Sequence, residues 1–315
     1  MFTSGLTSAR DDRSTGRVLT AAVVGWAVAY GSLRVAWAAG DAPWFPPTGS
    51  DLLGFTGWWA VALCAAAGVV AVALGRASTW QPVLAGAAWA VAGALVAAAG
   101  FLLPELVGFL LLSPGPNFDP LPFASRLACV GGAALLASAT AAYQRRTRGD
   151  CPSCCRTGVP GGRRSAPAWW ALVAAYGAVA GLVARFVAQA VVGFDGLVLN
   201  GSVVALEVGM LLAGGLLPLA LVHGWGRIWP RWVPLLAGRT IPRLVLLVPG
   251  FGLGAGLMAY FGMGLVQLAS GSASQFSTGF LLAAMSAYWV WGLGLVVAAT
   301  DYHLRTRRAC ERCRR

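Results

Sequence analysis

Eight nearly continuous apolar runs dominate this chain, at residues 18–39, 57–75, 82–103, 121–143, 168–192, 201–223, 243–268 and 278–300. Each is close to the twenty or so residues a helix needs to cross roughly 30 Å of hydrocarbon. No water answers a backbone N–H or C=O there, so each run is expected to be helical, and Gly and Pro within it are tolerable. With 58% hydrophobic and only 11% charged residues, against roughly a quarter charged in soluble domains, a soluble enzyme is excluded. The expected fold is all-α: a polytopic membrane protein with eight transmembrane helices. Apolar character continues beyond the third run, past Pro104 and Glu105 to Leu112, which predicts a kink or an interfacial extension.

The net charge of +12 would point to nucleic acid in a soluble domain, but the positions of the charges exclude that partner. Twenty of the 23 basic residues, all arginine, fall on one face. They lie before the first run (Arg10, Arg13, Arg17), at Arg76, in the central loop (Arg145 to Arg164), in the loop after the sixth run (Arg227 to Arg243) and in the tail (Arg305 to Arg315). Cytoplasmic loops carry the arginine excess. Both termini therefore read as cytoplasmic and the location as the cell (plasma) membrane, with anionic lipid headgroups as partners of the basic face. The opposite loops, such as residues 40–51 and 113–122, are acidic and rich in Pro, Gly and aromatics. A cleaved secretory signal ending near Ala36-Trp37-Ala38 is rejected, because the apolar stretch is long for such a signal and Arg34 interrupts it.

Laid on itself, the chain repeats. Residues 139–156 (ATAAYQRRTRGDCPSCCR) align without a gap on 298–315 (AATDYHLRTRRACERCRR), WQPVLAG at 80–86 matches WVPLLAG at 232–238, and Ala29-Tyr30-Gly31 echoes Ala175-Tyr176-Gly177. Three collinear matches argue for tandem duplication. Four spans per copy make the repeats parallel, a pattern that in transporters places a site between halves. The expected organisation is a cytoplasmic segment (1–17), a first four-helix repeat (18–144), a cytoplasmic Arg/Cys loop (145–167), a second repeat (168–304) and an Arg/Cys tail (305–315). YGSLRVAWAAG, the W-x-P-x-L-A-G turn and the Arg-rich segments ending in CxxC resemble uncharacterised actinobacterial integral membrane proteins built from such four-helix units. The resemblance implies the polytopic fold and no activity. The second copy departs from the first in its extra Arg231, Arg239 and Arg243.

Two groups of residues are candidates for chemistry. Cys151 and Cys154 in the central loop and Cys310 and Cys313 in the tail form two CxxC turns. Together they supply the four thiolates of a structural zinc, and nearby arginines favour the thiolate form. Unligated thiols, or a redox pair or iron–sulfur cluster, are the competing readings. The second group is Arg34, Glu105, Arg126, Arg185 and Glu207, within or bordering the spans, where ionisable groups are costly and face a partner, a cavity or water. They predict either a ligand pocket between the repeats or interhelical ion pairs that set register.

The remaining signals are weaker. His223 and His303 stand at helix ends, where solvated side chains are the ordinary case. Residues 250–256 (GFGLGAG) fit close helix packing, since a dinucleotide loop needs a preceding strand. Tryptophans 44, 58, 59, 169, 170, 229 and 232 cluster near span ends as an interfacial belt. No hydrolase triad, HExxH motif or P-loop stands in the sequence. Three functions follow: non-enzymatic binding or transport of a small solute, ion or lipid between the repeats; a structural or interaction protein with a zinc-clamped basic cytoplasmic face; or a membrane enzyme on a lipid-linked substrate. Oligomeric state stays open.

Overall fold

In a computed structural model the described residues are 3–45, 49–111, 119–148, 166–192, 201–229, 237–271 and 277–306. They form helices α1 (Thr3–Ala36), α2 (Trp58–Arg76), α3 (Pro82–Ala98), α4 (Leu102–Leu111), α5 (Pro120–Arg148), α6 (Trp169–Val192), α7 (Gly201–Leu211), α8 (Leu217–Val222), α9 (Arg243–Ala269) and α10 (Thr278–Arg305), with no strand among them. The chain is an all-α, multi-pass membrane protein. Seven helices are long and apolar enough to cross a membrane, eight when the broken pair α3 and α4 counts as one. That break falls at Ala99–Phe101, just before Pro104. The chain divides into two compact units: α1, α2, α3 and α5 form the first, and α4 joins α6 to α10 in the second.

Within the first unit, α1 lies against α2 and α5, and α3 against α2 and α5. Small residues make these approaches possible: Ala67, Ala71 and Ala88 are fully buried, alongside Leu74, Leu95 and Leu136. Trp26 of α1 lies flat on Gly132 of α5, where any Cβ would collide with its ring, and its indole N–H donates to the Ala128 carbonyl at 2.9 Å. At the other end of α5, Tyr143 donates to the Thr79 carbonyl at 2.9 Å and accepts from the Gln81 N–H at 2.8 Å. Arg146 there donates to the carbonyls of Leu74 and Ala77, both at 2.9 Å. Those carbonyls close α2, so a cation meets the negative end of the helix.

The second unit is organised around α10, which packs chiefly on α6 and α9. With apolar lipid tails outside, helices in a membrane associate through close van der Waals contact, which favours small residues. A Cβ at Gly181 would stand 2.7 Å from the Ala287 carbonyl and one at Gly294 would strike the Ala174 carbonyl, so α6 and α10 touch backbone to backbone. The same holds between α9 and α10, where a Cβ at Gly254 would stand 2.8 Å from the Gly292 carbonyl oxygen and one at Gly292 2.7 Å from that of Gly254. The glycine-rich run at 250–256 is thus a packing surface. Arg305 near the end of α10 is held by Asp301 four residues back and donates to the Leu221 carbonyl at 2.7 Å, near the end of α8. Between α7 and α8 the helix widens into a π-helical turn, Leu212–Leu216, followed by Pro218.

Apolar side chains cover much of the outside. Val69, Val83, Val173, Val187, Leu244, Val248 and Val266 are each more than half exposed, an arrangement suited to lipid tails. Trp44, Trp58, Trp59 and Trp169 are also exposed, at or just beyond helix ends. The backbone contact at Gly254 gives a test by thermal unfolding in detergent. Gly254→Val lowers the midpoint, with overpacking worth about 1–3 kcal/mol, while Gly93→Ala, at a position with no atom in reach, leaves it unchanged within error.

Candidate functional site

Ionisable side chains inside spans must find partners within the protein, and those partners decide whether a cluster is a lock or a site. In the first unit Arg34, one turn short of the point where α1 leaves helical geometry, is almost completely buried at 4% exposure, as is Asp51 at 2%. The guanidinium faces the carboxylate with both terminal nitrogens, Nη1 reaching Oδ1 at 3.1 Å and Nη2 pairing with Oδ2. Its Nε donates to the Tyr30 hydroxyl at 3.0 Å, and Nη2 also meets that oxygen at 2.6 Å and Ser125 Oγ at 2.8 Å. Ser125 Oγ in turn donates to Asp51. Trp37 and Tyr30 hold their rings 4.9 and 5.0 Å from the guanidinium carbon.

The local sequence explains this convergence. Tyr30 and Arg34 are four residues apart and share one face of α1. The loop that follows turns inward, burying Leu52 and Leu53, with the Leu53 N–H on the Ala98 carbonyl at 3.0 Å. Arg126, beside Ser125 on α5, donates from Nε to the Asp51 carbonyl oxygen. Cys129 Sγ lies 3.5 Å from the Tyr30 hydroxyl. Each guanidinium nitrogen of Arg34 thus meets an acceptor, and each Asp51 carboxylate oxygen a donor. The cluster ties the end of α1 and the loop before α2 to the start of α5.

The second unit answers its charges differently. Arg185, in the last third of α6, forms a two-pronged pair with Glu207 of α7, Nη1 to Oε2 at 3.1 Å and Nη2 to Oε1 at 2.9 Å. Its Nε donates to the Tyr288 hydroxyl of α10 at 2.7 Å. This fork-to-fork geometry is the strong form of an arginine–carboxylate bond. The pair is not sealed: the side chains of Arg185 and Glu207 keep 13% and 29% of their surface. Tyr288 lies 3.8 Å from the Met210 sulfur, a weak acceptor, and stacks face to face on Phe261 at 4.0 Å. One turn on, Trp291 is 1% exposed and its Nε1 has no hydrogen-bond partner. Its ring fills the space left by Gly214, in the π-helical turn.

Of the five charges expected to mark a pocket, Arg34 and Arg126 come together on Asp51 in the first unit, and Arg185 and Glu207 pair in the second. Glu105 stands in the first turn of α4. Sequence reasoning missed Asp51, Ser125, Tyr30 and Tyr288. A buried arginine requires an acid, and the acidic loop after α1 was the place to look for one. Tyr288 carried no such signal. Cys151, Cys154, Cys310 and Cys313 lie outside the described residues, and among those described no three potential ligands gather as a metal site. Cys64 and Cys129 are buried and free. No protein-family model, curated protein or solved structure matches this chain.

Asp51 is the test of the sealed cluster. Asp51→Ala leaves Arg34 buried without its counter-charge and destabilises by about 3–5 kcal/mol, read as a lowered unfolding midpoint. The double variant with Arg34→Met recovers most of the loss, because it removes the stranded charge.

Proposed function

We propose that this is a plasma-membrane protein with both termini in the cytoplasm that binds or moves a small ionic solute through its second unit, without chemical conversion. One observation carries the reading. Among the described residues, the arginine–carboxylate clusters on Arg34 and on Arg305 with Asp301 are almost fully buried, while Arg185 and Glu207 form a directed pair that keeps exposed surface. The helix bearing Glu207 is interrupted one turn later by the π-helical turn. Such turns are frequent at functional sites, and interrupted helices near binding residues are a transporter feature.

The orientation is supported by the arginine distribution. Tandem duplication is supported by a pair of contacts at aligned positions. Arg146 of α5 and Arg305 of α10 stand opposite each other in the gapless alignment, and each reaches the carbonyl end of another helix of its own unit, α2 and α8. A zinc held by the four CxxC cysteines remains part of this reading as a cytoplasmic fastening of loop to tail.

Native mass spectrometry of protein released gently from membranes tests both parts. The parent should retain a small solute or lipid that Arg185→Lys, which keeps a cation beside Glu207 but not the fork, loses while its unfolding midpoint stays within a few degrees; a mass retained equally by both would sink the binding reading. On the same spectra, one zinc per chain should disappear when Cys151, Cys154, Cys310 and Cys313 become serine, and a metal-free parent removes the fastening.

A further inference from the structure

Around Arg185 the donors outnumber the acceptors. The guanidinium presents its fork, and the Tyr288 hydroxyl that Nε meets has, among the described residues, the weak Met210 sulfur to donate to. The strong acceptor recorded on this group is the Glu207 carboxylate, which fills the fork. A planar oxyanion carries the same two-oxygen edge as a carboxylate and suits the same fork. Glu207 thus occupies the position such an anion would take.

Charge decides when exchange is possible. Arginine stays protonated in proteins, so Arg185 with ionised Glu207 is a neutral pair. Adding an anion to that pair leaves one net negative charge inside a span, which is costly. Adding an anion together with a proton on Glu207 restores neutrality: the carboxyl releases the fork, the anion takes it, and the sum of charges is unchanged. We propose that the second unit binds a small planar oxyanion on Arg185 only when Glu207 takes up a proton, so that one proton accompanies each anion. This rests on the reading of Arg185 and Glu207 as a solute site and names the solute class and the coupled ion.

Three nearby helices carry ionisable side chains. From α6 Glu207 meets the Arg185 cation, and Tyr288 of α10 is joined to it through Arg185. α4, which packs on α7, carries Glu105 as its ionisable side chain. The π-helical turn next to Met210 supplies a place where α7 can shift as the fork opens.

Nitrate is the probe, because it is planar and stays ionised across the pH range used, so any pH dependence belongs to the protein. Its binding to the full chain in nanodiscs of uncharged lipid is measured by calorimetry from about pH 5 to 8. In the parent, one proton per anion makes the dissociation constant fall by up to about tenfold for each unit that the pH drops while Glu207 is ionised. Glu207→Gln, which mimics the protonated acid, should bind nitrate at pH 8 at least as tightly as the parent at pH 5, and without pH dependence. Arg185→Lys keeps the charge without the fork and should bind at least tenfold more weakly. Because Glu207→Gln gains binding, a misfolded variant cannot imitate the expected result. Binding that Arg185→Lys weakens but that is flat with pH in the parent overturns the coupling and leaves the solute site standing. Nitrate held equally by the parent and Arg185→Lys, or by neither the parent nor Glu207→Gln at any pH, overturns both.

Discussion

In the hydrocarbon layer a polar group has no solvent to fall back on, and most of this structure follows from that condition. It requires the spans to be helical, so that each backbone donor finds its acceptor within its own segment. It also removes the ordinary force that drives helices together, since lipid tails are as apolar as leucine. Close approach takes over. The contacts of α6 and α9 with α10 run through Gly181, Gly294, Gly254 and Gly292, where one methyl group would stand against a backbone carbonyl. The first unit uses alanine, with Gly132 under Trp26 and Gly68 and Gly75 of α2 against α1, to the same end.

The same condition sorts the charged residues. At helix ends, arginine has carbonyls to meet, as Arg146 and Arg305 show, the latter with Asp301 beside it as well. Within the spans an arginine must be given a carboxylate. Arg34 obtains Asp51 from a loop that folds back into the unit, and Tyr30 and Ser125 add further hydrogen bonds to the pair. Arg185 obtains Glu207 from a helix, with a tyrosine behind it and access in front. The first arrangement secures a loop. The second holds two opposite charges that an external anion and a proton can replace without changing the net charge, which is why the functional reading rests there.

The apolar runs, with their length and spacing, made the helical membrane fold legible before any coordinates. Periodicity was enough because a span is defined by transfer from water to hydrocarbon, a property summed over about twenty residues. Pro104 and Glu105 similarly flagged the third run, which breaks into α3 and α4. The five in-span charges were visible for the same reason: they are exceptions to an apolar background. Their partners were less visible. Asp51 lies in a Pro- and Gly-containing loop whose path depends on tertiary contacts such as that between Leu53 and Ala98, and Tyr288 is one aromatic among many on α10.

By itself, then, the sequence determined the class of solvent, the all-helical membrane-spanning class with the approximate limits of its apolar runs, and which side chains would be expensive to bury. These are sums over local composition, and they hold whatever the packing. Tertiary structure alone decided that α4 packs with the second unit, that Arg34 is sealed while Arg185 stays accessible, and that a π-helical turn follows Glu207. Each of those depends on distances between residues far apart in the chain, set by which helices come close enough for backbone to touch backbone, and no local pattern encodes that.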